Sequence, residues 1–259
     1  MRRAKVWAVI PAAGVGTRMR GGCPKQYLPL LGQPMLRHTL ARLSSHPDVQ
    51  GVVVALNEAD AHWPALAAEL AGDRKRAPVA VVSGGIARAD SVVNAVDMLA
   101  GLPVPGTSHR GPTGDPALAL PADPMDWVMV HDAARPCLRA ADITALLRAV
   151  LDGDAIGGVL ATPVRDTMKR ADDDGRIEAT VPRKQLWHAL TPQVFRLKSL
   201  RNALKAAVAD GVEVTDEASA MERCGARPRL VSGHPDNIKV THPQDLPLAE
   251  LFLKAQADE

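Results

Sequence analysis

The sequence predicts an α/β fold, in which a doubly wound, mainly parallel sheet is covered by helices on both faces. Short runs rich in β-branched residues alternate with amphipathic segments along the chain, and several of these runs are apolar at nearly every position, as fully covered strands are. The chain has 259 residues, of which 46% are apolar, so it is long enough to bury one sizeable core. We therefore expect a single domain over residues 1–259, with its ligand site at the carboxyl ends of the strands.

The alternating pattern places individual elements along the chain. Six runs are predicted strands: Val6–Ile10, Gly51–Leu56, Val79–Val82, Trp127–His131, Gly157–Ala161 and Arg229–Val231. Three segments have apolar residues at helical spacing: Pro34–His46, Arg88–Ala100 and Ala141–Leu151. A further short helix is predicted to begin after Thr215 or Asp216, which would cap it, and to end at Gly225 after Cys224.

Two segments interrupt this alternation. Gly101–Pro124 is rich in proline and glycine and lacks periodicity, and a strand resumes directly after it, so we expect a long surface loop. Thr162–Gln185 is polar and charged, with a turn at Asp172–Gly175 between two short extended pieces. This pattern predicts a protruding β-hairpin at about residues 162–185, which we call the arm.

Composition excludes several classes of protein. The net charge is only +2 and aromatic residues make up 3% of the chain, which argues against a partner that is a nucleic acid. No stretch approaches the ~20 consecutive apolar residues that a membrane-spanning helix needs. The three cysteines are odd in number and far apart, which argues against a disulfide framework or a zinc site. The cysteine usage favours a reducing cytoplasm. The basic and apolar start resembles a signal peptide, but its apolar run is short, so we expect a buried first strand there.

The segment after the first strand carries the clearest chemical signal. Pro11–Met19 reads PAAGVGTRM, and Lys25 follows shortly afterwards. Gly14 and Gly16 would let backbone N–H groups approach a phosphate closely. Arg18 and Lys25 would add the positive charge that backbone groups lack.

This loop differs from two common phosphate-binding loops. Met19 stands where the third glycine of a dinucleotide-binding GxGxxG loop would be, and the GK[ST] of a P-loop is missing. The combination of the glycine pair with the two cations therefore favours a nucleotidyltransferase. An ordinary glycine turn with solvated cations is the alternative.

Eight sequence blocks, in order and over nearly the whole chain, resemble those of the 2-C-methyl-D-erythritol 4-phosphate cytidylyltransferases. The blocks are Pro11–Met19, Cys23–Tyr27, Arg88–Val92, Val130–Pro136, Pro163–Lys169, Leu186–Gln193, Thr215–Ser219 and Asp236–Thr241. The resemblance implies a Rossmann-like nucleotidyltransferase fold. It also implies transfer of a cytidylyl group from CTP to 2-C-methyl-D-erythritol 4-phosphate, which releases pyrophosphate, in non-mevalonate isoprenoid synthesis.

The resemblance implies roles for residues that would bind CTP. Arg18 and Lys25 would stabilise the charge of the transition state at the α-phosphorus. Five small residues would surround the cytosine: Ala12, Ala13, Gly84, Gly85 and Ser91. A tight turn followed by a serine at a helix start is the structural alternative for the last three. Ile86 departs from the family, in which an acidic residue is common here, and this matters only if that side chain contacts the base.

The block around His131 follows a predicted strand, at the edge where ligands bind. Asp132 would hold Mg²⁺ or accept hydrogen bonds from substrate hydroxyls, and Arg135 would bind polar groups of either substrate. An Asp–Arg pair that braces the strand end is the alternative. We interpret His131 as a packed residue rather than a base, because the attacking phosphate is already anionic. Mg²⁺ or another divalent cation is the expected cofactor, and Asp132 is the one candidate ligand.

The resemblance also implies an acceptor site shared between two subunits. The arm would cross to a neighbouring subunit of a homodimer, and its Thr167 and Arg183 would help bind the methylerythritol phosphate there. Arg183 and Lys239 would position the attacking phosphate, and Thr191 would contribute a hydroxyl. A solvated charged surface is the alternative for most of the arm, and a surface lysine at a strand end is the alternative for Lys239.

Four other functions are compatible with parts of the sequence. A ribitol 5-phosphate cytidylyltransferase would share the CTP side, but Pro163–Lys169 and Trp187–Gln193 favour methylerythritol phosphate. A nucleotide-sugar synthase would use another base. A non-catalytic nucleotide sensor would lack Arg18 or Lys25, and both are present. The missing third glycine argues against an NAD-dependent oxidoreductase.

Overall fold

A computed structural model describes residues 5–14, 23–71, 76–104, 122–153 and 155–258. Its strands, in chain order, are β1 (Val6–Pro11), β2 (Pro29–Leu30), β3 (Gln33–Pro34), β4 (Val49–Leu56), β5 (Val79–Ser83), β6 (Trp127–Val130), β7 (Gly157–Pro163), β8 (Met168–Ala171), β9 (Ile177–Val181), β10 (Trp187–Arg196) and β11 (Arg229–Ser232). Its α-helices are α1 (Met35–Ser44), α2 (Trp63–Leu70), α3 (Arg88–Leu99), α4 (Ala140–Leu151), α5 (Leu197–Ala209), α6 (Glu217–Arg223) and α7 (Asp245–Ala257).

The central sheet has the strand order β11-β7-β10-β6-β1-β4-β5. Neighbouring strands are parallel except at β10, which runs antiparallel to both β6 and β7. The doubly wound, mainly parallel α/β prediction is therefore confirmed, and each of the six predicted strands is present. The sequence analysis missed β10, which contains Pro192 and has no β-branched run. Proline removes a ladder donor, so its presence argues against a central strand.

Alternating side chains of β1 face two separate apolar clusters. Val6, Ala8 and Ile10 pack in a cluster that includes residues of α1 and α4. Trp7 and Val9 pack on the other face, in a cluster that includes residues of α3 and α5. The sheet thus lies between two helical layers, as the continuous apolar runs predict.

Predicted helices agree closely with α1, α3 and α4. The short predicted helix is α6, and its cap is Asp216, whose carboxylate accepts a hydrogen bond of 2.9 Å from the Ser219 N–H. Gly225 follows the helix with a φ of +80°, a backbone conformation that favours glycine. The sequence analysis missed α2, α5 and α7, although the signal for α5 was present, since Leu197, Leu200 and Leu204 recur at helical spacing.

The predicted arm is a hairpin of β8 and β9. The Asp172 carboxylate accepts hydrogen bonds from backbone N–H groups of Asp174 and Arg176, and Gly175 has a φ of +77°. The hairpin prediction is confirmed. Of the predicted loop Gly101–Pro124, residues 105–121 lie outside the described residues. Within the described ranges no helix is long and apolar enough to cross a membrane.

The fold brings three loops to one edge of the sheet. They follow β1 at Pro11, β5 at Ser83 and β6 at Val130, and these three parallel strands all end at that edge. In open α/β sheets, ligands bind in the crevice at the carboxyl ends of the parallel strands.

Replacement of Gly157 by alanine is expected to destabilise the protein. A Cβ at this position would overlap the Phe195 ring and lie 2.6 Å from the Val194 carbonyl oxygen. Such overpacking costs about 1–3 kcal/mol of unfolding free energy, which urea denaturation would measure. Gly153→Ala is the matched control, because its Cβ would meet no atom closer than 3.5 Å. Equal unfolding midpoints for the two variants would contradict the tight β7–β10 packing.

Candidate active site

A cavity of about 180 Å³ lies at the edge where β1, β5 and β6 end. Its lining comes from the loop after β1, the short 3₁₀ turn Lys25–Tyr27, the start of α3, the turn after β6 and the segment after β11. The residues that line it are Pro11–Gly14, Lys25, Gln26, Gly85–Arg88, Ser91, Asp132–Ala134 and Lys239.

Charge in this lining is mostly positive. Among the described residues, Lys25, Arg88 and Lys239 line the cavity together with one carboxylate, that of Asp132. Such an excess of cations suits an anionic ligand. Arg18 and Gly16, which the sequence analysis assigned to the same loop as Lys25, lie outside the described residues.

Buried hydrogen bonds hold the loop after β1. The Ala12 N–H donates to the Ala55 carbonyl at 2.8 Å, and the Gln26 side-chain amide donates to the Ala12 carbonyl at 2.8 Å. The Tyr27 hydroxyl donates to the Asp60 carboxylate at 2.9 Å. The sequence analysis gave Gln26 no role, although it lies in the Pro-Lys-Gln block. In the structure its buried amide connects the turn that carries Lys25 to the glycine loop.

Of the five residues predicted around the cytosine, Ala12, Ala13, Gly85 and Ser91 line the cavity, and Gly84 packs directly beside them. A Cβ on Gly84 would overlap the Ala13 side chain, and a Cβ on Gly85 would overlap that of Asp90. The Ser91 hydroxyl, which is buried, accepts a hydrogen bond of 3.0 Å from the Gly85 N–H. Glycine is therefore required at both positions by the close approach of α3 and the β1 loop.

Ile86 lies on the rim of the cavity, and its side chain is fully exposed. The residue thus contributes backbone to the same turn as Gly85 while its side chain stays in solvent.

Asp132 is surrounded by positive charge. One carboxylate oxygen accepts a hydrogen bond of 2.9 Å from Arg88 Nε, and the other lies 2.7 Å from Lys239 Nζ and 3.8 Å from Arg135 Nε. Burial on its own would raise the pKa of this carboxyl, but the charges of Arg88, Lys239 and Arg135 outweigh burial and hold the pKa well below its ordinary range. Asp132 is therefore ionised throughout the physiological range.

Arg135 is buried and does not line the cavity in the described residues. Its guanidinium donates to the Asn237 carbonyl at 2.7 Å, and the Asn237 amide donates to the Thr191 carbonyl at 2.8 Å. The Val240 N–H donates to the Ala134 carbonyl at 2.8 Å. These contacts correspond to the bracing alternative for Arg135, and they fix the segment that carries Lys239.

Arg88 and Glu217 were not predicted as site residues. Two nitrogens of the Arg88 fork donate to the two Glu217 oxygens, at 2.7 and 3.2 Å, while Nε donates to Asp132. Glu217 is 1% exposed. Both residues stand in the blocks that resemble the family, but they lie 129 positions apart, so only the fold shows that they meet.

His131 and Thr191 form an enclosed hydrogen-bond chain beneath the site. The Asp132 N–H donates to the Thr191 hydroxyl at 3.1 Å, and that oxygen lies 2.9 Å from His131 Nδ1. His131 Nε2 lies 3.0 Å from the Arg135 carbonyl, which only accepts, so Nε2 carries the proton and Nδ1 accepts from Thr191. Burial lowers the pKa of His131 to about 4. The packed-residue interpretation of His131 is confirmed, and the Thr191 hydroxyl is engaged inside the protein.

The predicted arm residues lie away from this cavity. Thr167 and Arg183 are exposed and do not line it, and the Arg183 guanidinium donates to the Arg165 carbonyl. The described residues contain no group of three or more histidine, cysteine or acidic side chains that would hold a metal ion.

Comparison with known proteins identifies the family. A family model described as 2-C-methyl-D-erythritol 4-phosphate cytidylyltransferase matches residues 6–104 and 102–255. The chain belongs to this cytidylyltransferase family.

Individual members of the cytidylyltransferase family align with this chain over most of their lengths. A protein of that name from Shewanella amazonensis is 51% identical over 249 residues, 96% of this chain and 93% of the relative. One from Ectopseudomonas mendocina is 50% identical over 242 residues, 93% of each chain. A crystal structure of 4-diphosphocytidyl-2C-methyl-D-erythritol synthase superposes with a TM-score of 0.76 at 36% identity, covering 98% of this chain and 100% of that one. The Francisella tularensis cytidylyltransferase gives a TM-score of 0.73 at 30% identity, covering 96% and 100%.

In this cytidylyltransferase, the neutral His131 predicts how stability depends on pH. Its folded-state pKa of about 4 lies below the ordinary value of 6.5, so the unfolded chain binds a proton that the folded protein does not. The stability that the neutral His131 contributes is fully present above about pH 6.5 and is lost as pH falls toward 4. His131→Gln keeps a donor for the Arg135 carbonyl but cannot titrate. Its melting temperature is therefore expected to fall less between pH 7 and 5.

Thermal melts at several pH values measure this difference. The slope does not vanish in the variant, because burial also lowers the pKa of His38 and His46. His188→Gln, at an exposed position, is the control and should keep the wild-type slope. A His131→Gln slope equal to that of the wild type would contradict the enclosed neutral imidazole.

Proposed function

We propose that the chain transfers the cytidylyl group of CTP to 2-C-methyl-D-erythritol 4-phosphate, which gives 4-CDP-2-C-methyl-D-erythritol and pyrophosphate. The observation that carries this proposal is the cavity at the sheet edge. It brings Lys25, Lys239 and Asp132 together with the glycine-lined end at Gly85, in a member of the cytidylyltransferase family. The product would enter non-mevalonate isoprenoid synthesis.

The reaction needs charge stabilisation more than proton transfer. An oxygen of the acceptor phosphate attacks the α-phosphorus of CTP, and the bond from that phosphorus to the oxygen of the departing pyrophosphate breaks. Lys25, together with Arg18, would stabilise the negative charge that spreads over the phosphoryl oxygens. His131 is enclosed and neutral, and the acceptor phosphate is anionic near neutral pH, so the proposal requires no general base.

The base would bind at the glycine-lined end of the cavity. Backbone groups around Gly84 and Gly85, the Ser91 hydroxyl and the close-packed Ala12 and Ala13 would surround the cytosine. The exposed Ile86 side chain supports recognition through backbone groups. An acidic side chain at that position is then not needed for base selectivity.

The acceptor phosphate would bind near Lys239. This amine pairs with Asp132 and is 40% exposed, so it is able to exchange that partner for a phosphate. Asp132 would then orient substrate hydroxyls. Thr191 would act through its hydrogen bond to the Asp132 N–H, while the buried Arg135 would hold the segment around Lys239.

We infer that Mg²⁺, or another divalent cation, accompanies the triphosphate. Mg²⁺ is usually held by substrate phosphates and one or two carboxylates, and Asp132 is the one carboxylate that lines the described part of the cavity. Both Asp132 oxygens have cationic partners, so the phosphates would supply most of the ligands. The ion would neutralise charge on the leaving pyrophosphate.

We further propose a homodimer whose arm completes the partner's acceptor site. Thr167 and Arg183 are exposed on the arm and do not line the cavity of their own chain. Met168, Ile177 and Trp187 are large apolar side chains exposed in the same region, which supports packing against another chain.

The free thiols of Cys23, Cys137 and Cys224 support a cytoplasmic location, where thiols stay reduced.

A pyrophosphate-release assay tests the function. The purified protein, CTP, Mg²⁺ and 2-C-methyl-D-erythritol 4-phosphate are expected to release pyrophosphate, and ATP, GTP and UTP to release much less. Replacing the methylerythritol phosphate by ribitol 5-phosphate in the same assay tests the alternative acceptor. The absence of turnover with CTP and the methylerythritol phosphate would refute the proposal.

Lys25→Ala is expected to lower turnover by about 10²-fold, the usual cost of one lost transition-state donor. The KM for CTP should change by only a few-fold, since the charge acts mainly in the transition state. Lys198→Ala, at an exposed position at the start of α5, is the matched control and should retain activity. Proportional losses in turnover and CTP binding would contradict a role confined to the transition state.

Light scattering tests the dimer. The full chain is expected to have twice the mass of a single subunit. Arg183→Ala should keep that mass and lose activity, if Arg183 serves the partner's site. A monomer that is fully active would overturn the shared-site proposal.

A further inference from the structure

We propose that Glu217 is a positioning residue, which acts through Arg88 to keep the Asp132 carboxylate in place while the substrate phosphates bind. The inference deepens the proposed function and rests on it. Glu217 is a buried acid that does not line the described part of the cavity.

The geometry forms a chain of three charged groups from three parts of the fold. Arg88 is the first residue of α3, Glu217 is the first residue of α6, and Asp132 follows β6. The Arg88 fork binds both Glu217 oxygens, at 2.7 and 3.2 Å, and its Nε binds one Asp132 oxygen at 2.9 Å. One guanidinium therefore fixes the direction of the Asp132 carboxylate relative to two helices.

The two cations closest to Asp132, Arg88 and Lys239, differ in how firmly they are held. Among the described residues, Lys239 pairs with the Asp132 carboxylate at 2.7 Å, and its side chain is 40% exposed. Arg88 is held from both sides by carboxylates, and Glu217 is 1% exposed. Lys239 is thus the partner that is able to leave when a phosphate arrives, and Arg88 is the partner that stays.

Arg88 needs such an anchor because it lines the cavity. A guanidinium fork binds phosphate in a bidentate manner, so an unanchored Arg88 would turn toward the triphosphate. Asp132 would then lose its two closest cationic partners at once, with only Arg135 left at 3.8 Å, and would move. The bidentate bond to Glu217 keeps Arg88 bound to Asp132. The Asp132 carboxylate then stays in the orientation that its proposed contact with the substrate hydroxyls requires.

A purely structural role is the competing explanation. The Arg88–Glu217 pair joins α3 to α6, and it would stabilise the fold even if Asp132 gained nothing from it. Charge-neutral double variants separate the two roles. Removal of Arg88 alone leaves the buried Glu217 carboxylate unpaired, whereas removal of both does not.

The experiment compares Arg88→Met, Glu217→Met and the double variant in the full chain. Each single variant is expected to lower the melting temperature and to lower kcat by about tenfold or more, because the reacting groups lose alignment. The KM for CTP should change by less than about threefold. In the double variant, the melting temperature should rise above that of Arg88→Met while kcat stays low.

If kcat of the double variant recovered together with its melting temperature, the proposal would be overturned, and the Arg88–Glu217 pair would have a structural role only. Arg201→Met provides the matched control. Arg201 Nε binds the mostly buried Asp97 carboxylate at 2.6 Å, which joins α3 to α5 away from the cavity. This variant should lower the melting temperature and keep kcat.

Two further readouts separate this proposal from the proposed function. Turnover of the wild type with CTP and the methylerythritol phosphate tests only the function. A crystal structure of the double variant tests the positioning without turnover, and the Asp132 carboxylate should be rotated or present in two orientations. An unchanged, single Asp132 orientation there would overturn the inference.

Discussion

The Asp132 carboxylate is the interaction on which the site depends. Its oxygens meet Arg88 from α3, Lys239 from the segment after β11 and Arg135 from its own turn. These groups come from distant parts of the chain, and the carboxylate keeps them within a few ångströms. Because burial of a charge costs free energy unless it is paired, each of these cations also contributes to keeping Asp132 ionised. Lys239, whose side chain is 40% exposed, is the least buried of these three cations.

Beneath the Asp132–Lys239 pair, buried side chains are connected by hydrogen bonds. The neutral His131 connects the Thr191 hydroxyl to the Arg135 carbonyl, and Thr191 receives the Asp132 N–H. On the other side of the cavity, Gly84 and Gly85 allow α3 to approach the loop after β1 closely. Side chains held by several hydrogen bonds favour catalysis by positioning and charge, since the donors are oriented before the substrate arrives. The buried, neutral His131 agrees with its interpretation as a packed residue.

The sequence predicted those parts of the molecule whose signal is local. Continuous apolar runs identified the parallel strands, and helical spacing identified α1, α3 and α4. The strand β10 was missed because it contains Pro192 and has no run of β-branched residues, although it lies between β6 and β7 in the sheet. In the site, Lys25, Asp132 and Lys239 were predicted and do line one cavity. Arg88 and Glu217 were not, because a salt bridge between residues far apart in the chain leaves no local pattern.

The sequence by itself determined the fold class and the family, because hydrophobic periodicity and ordered motifs are written along the chain. It also determined which cations line the cavity, since Lys25 and Lys239 stand in those motifs. Only the tertiary structure decided which charges meet. Burial decided that His131 is neutral and that the Thr191 hydroxyl forms its hydrogen bonds inside the protein. Packing decided that Arg135 braces the site rather than lining it, and that Glu217 reaches Asp132 through Arg88. These outcomes depend on distances and on the exclusion of water, which no local pattern of residues encodes.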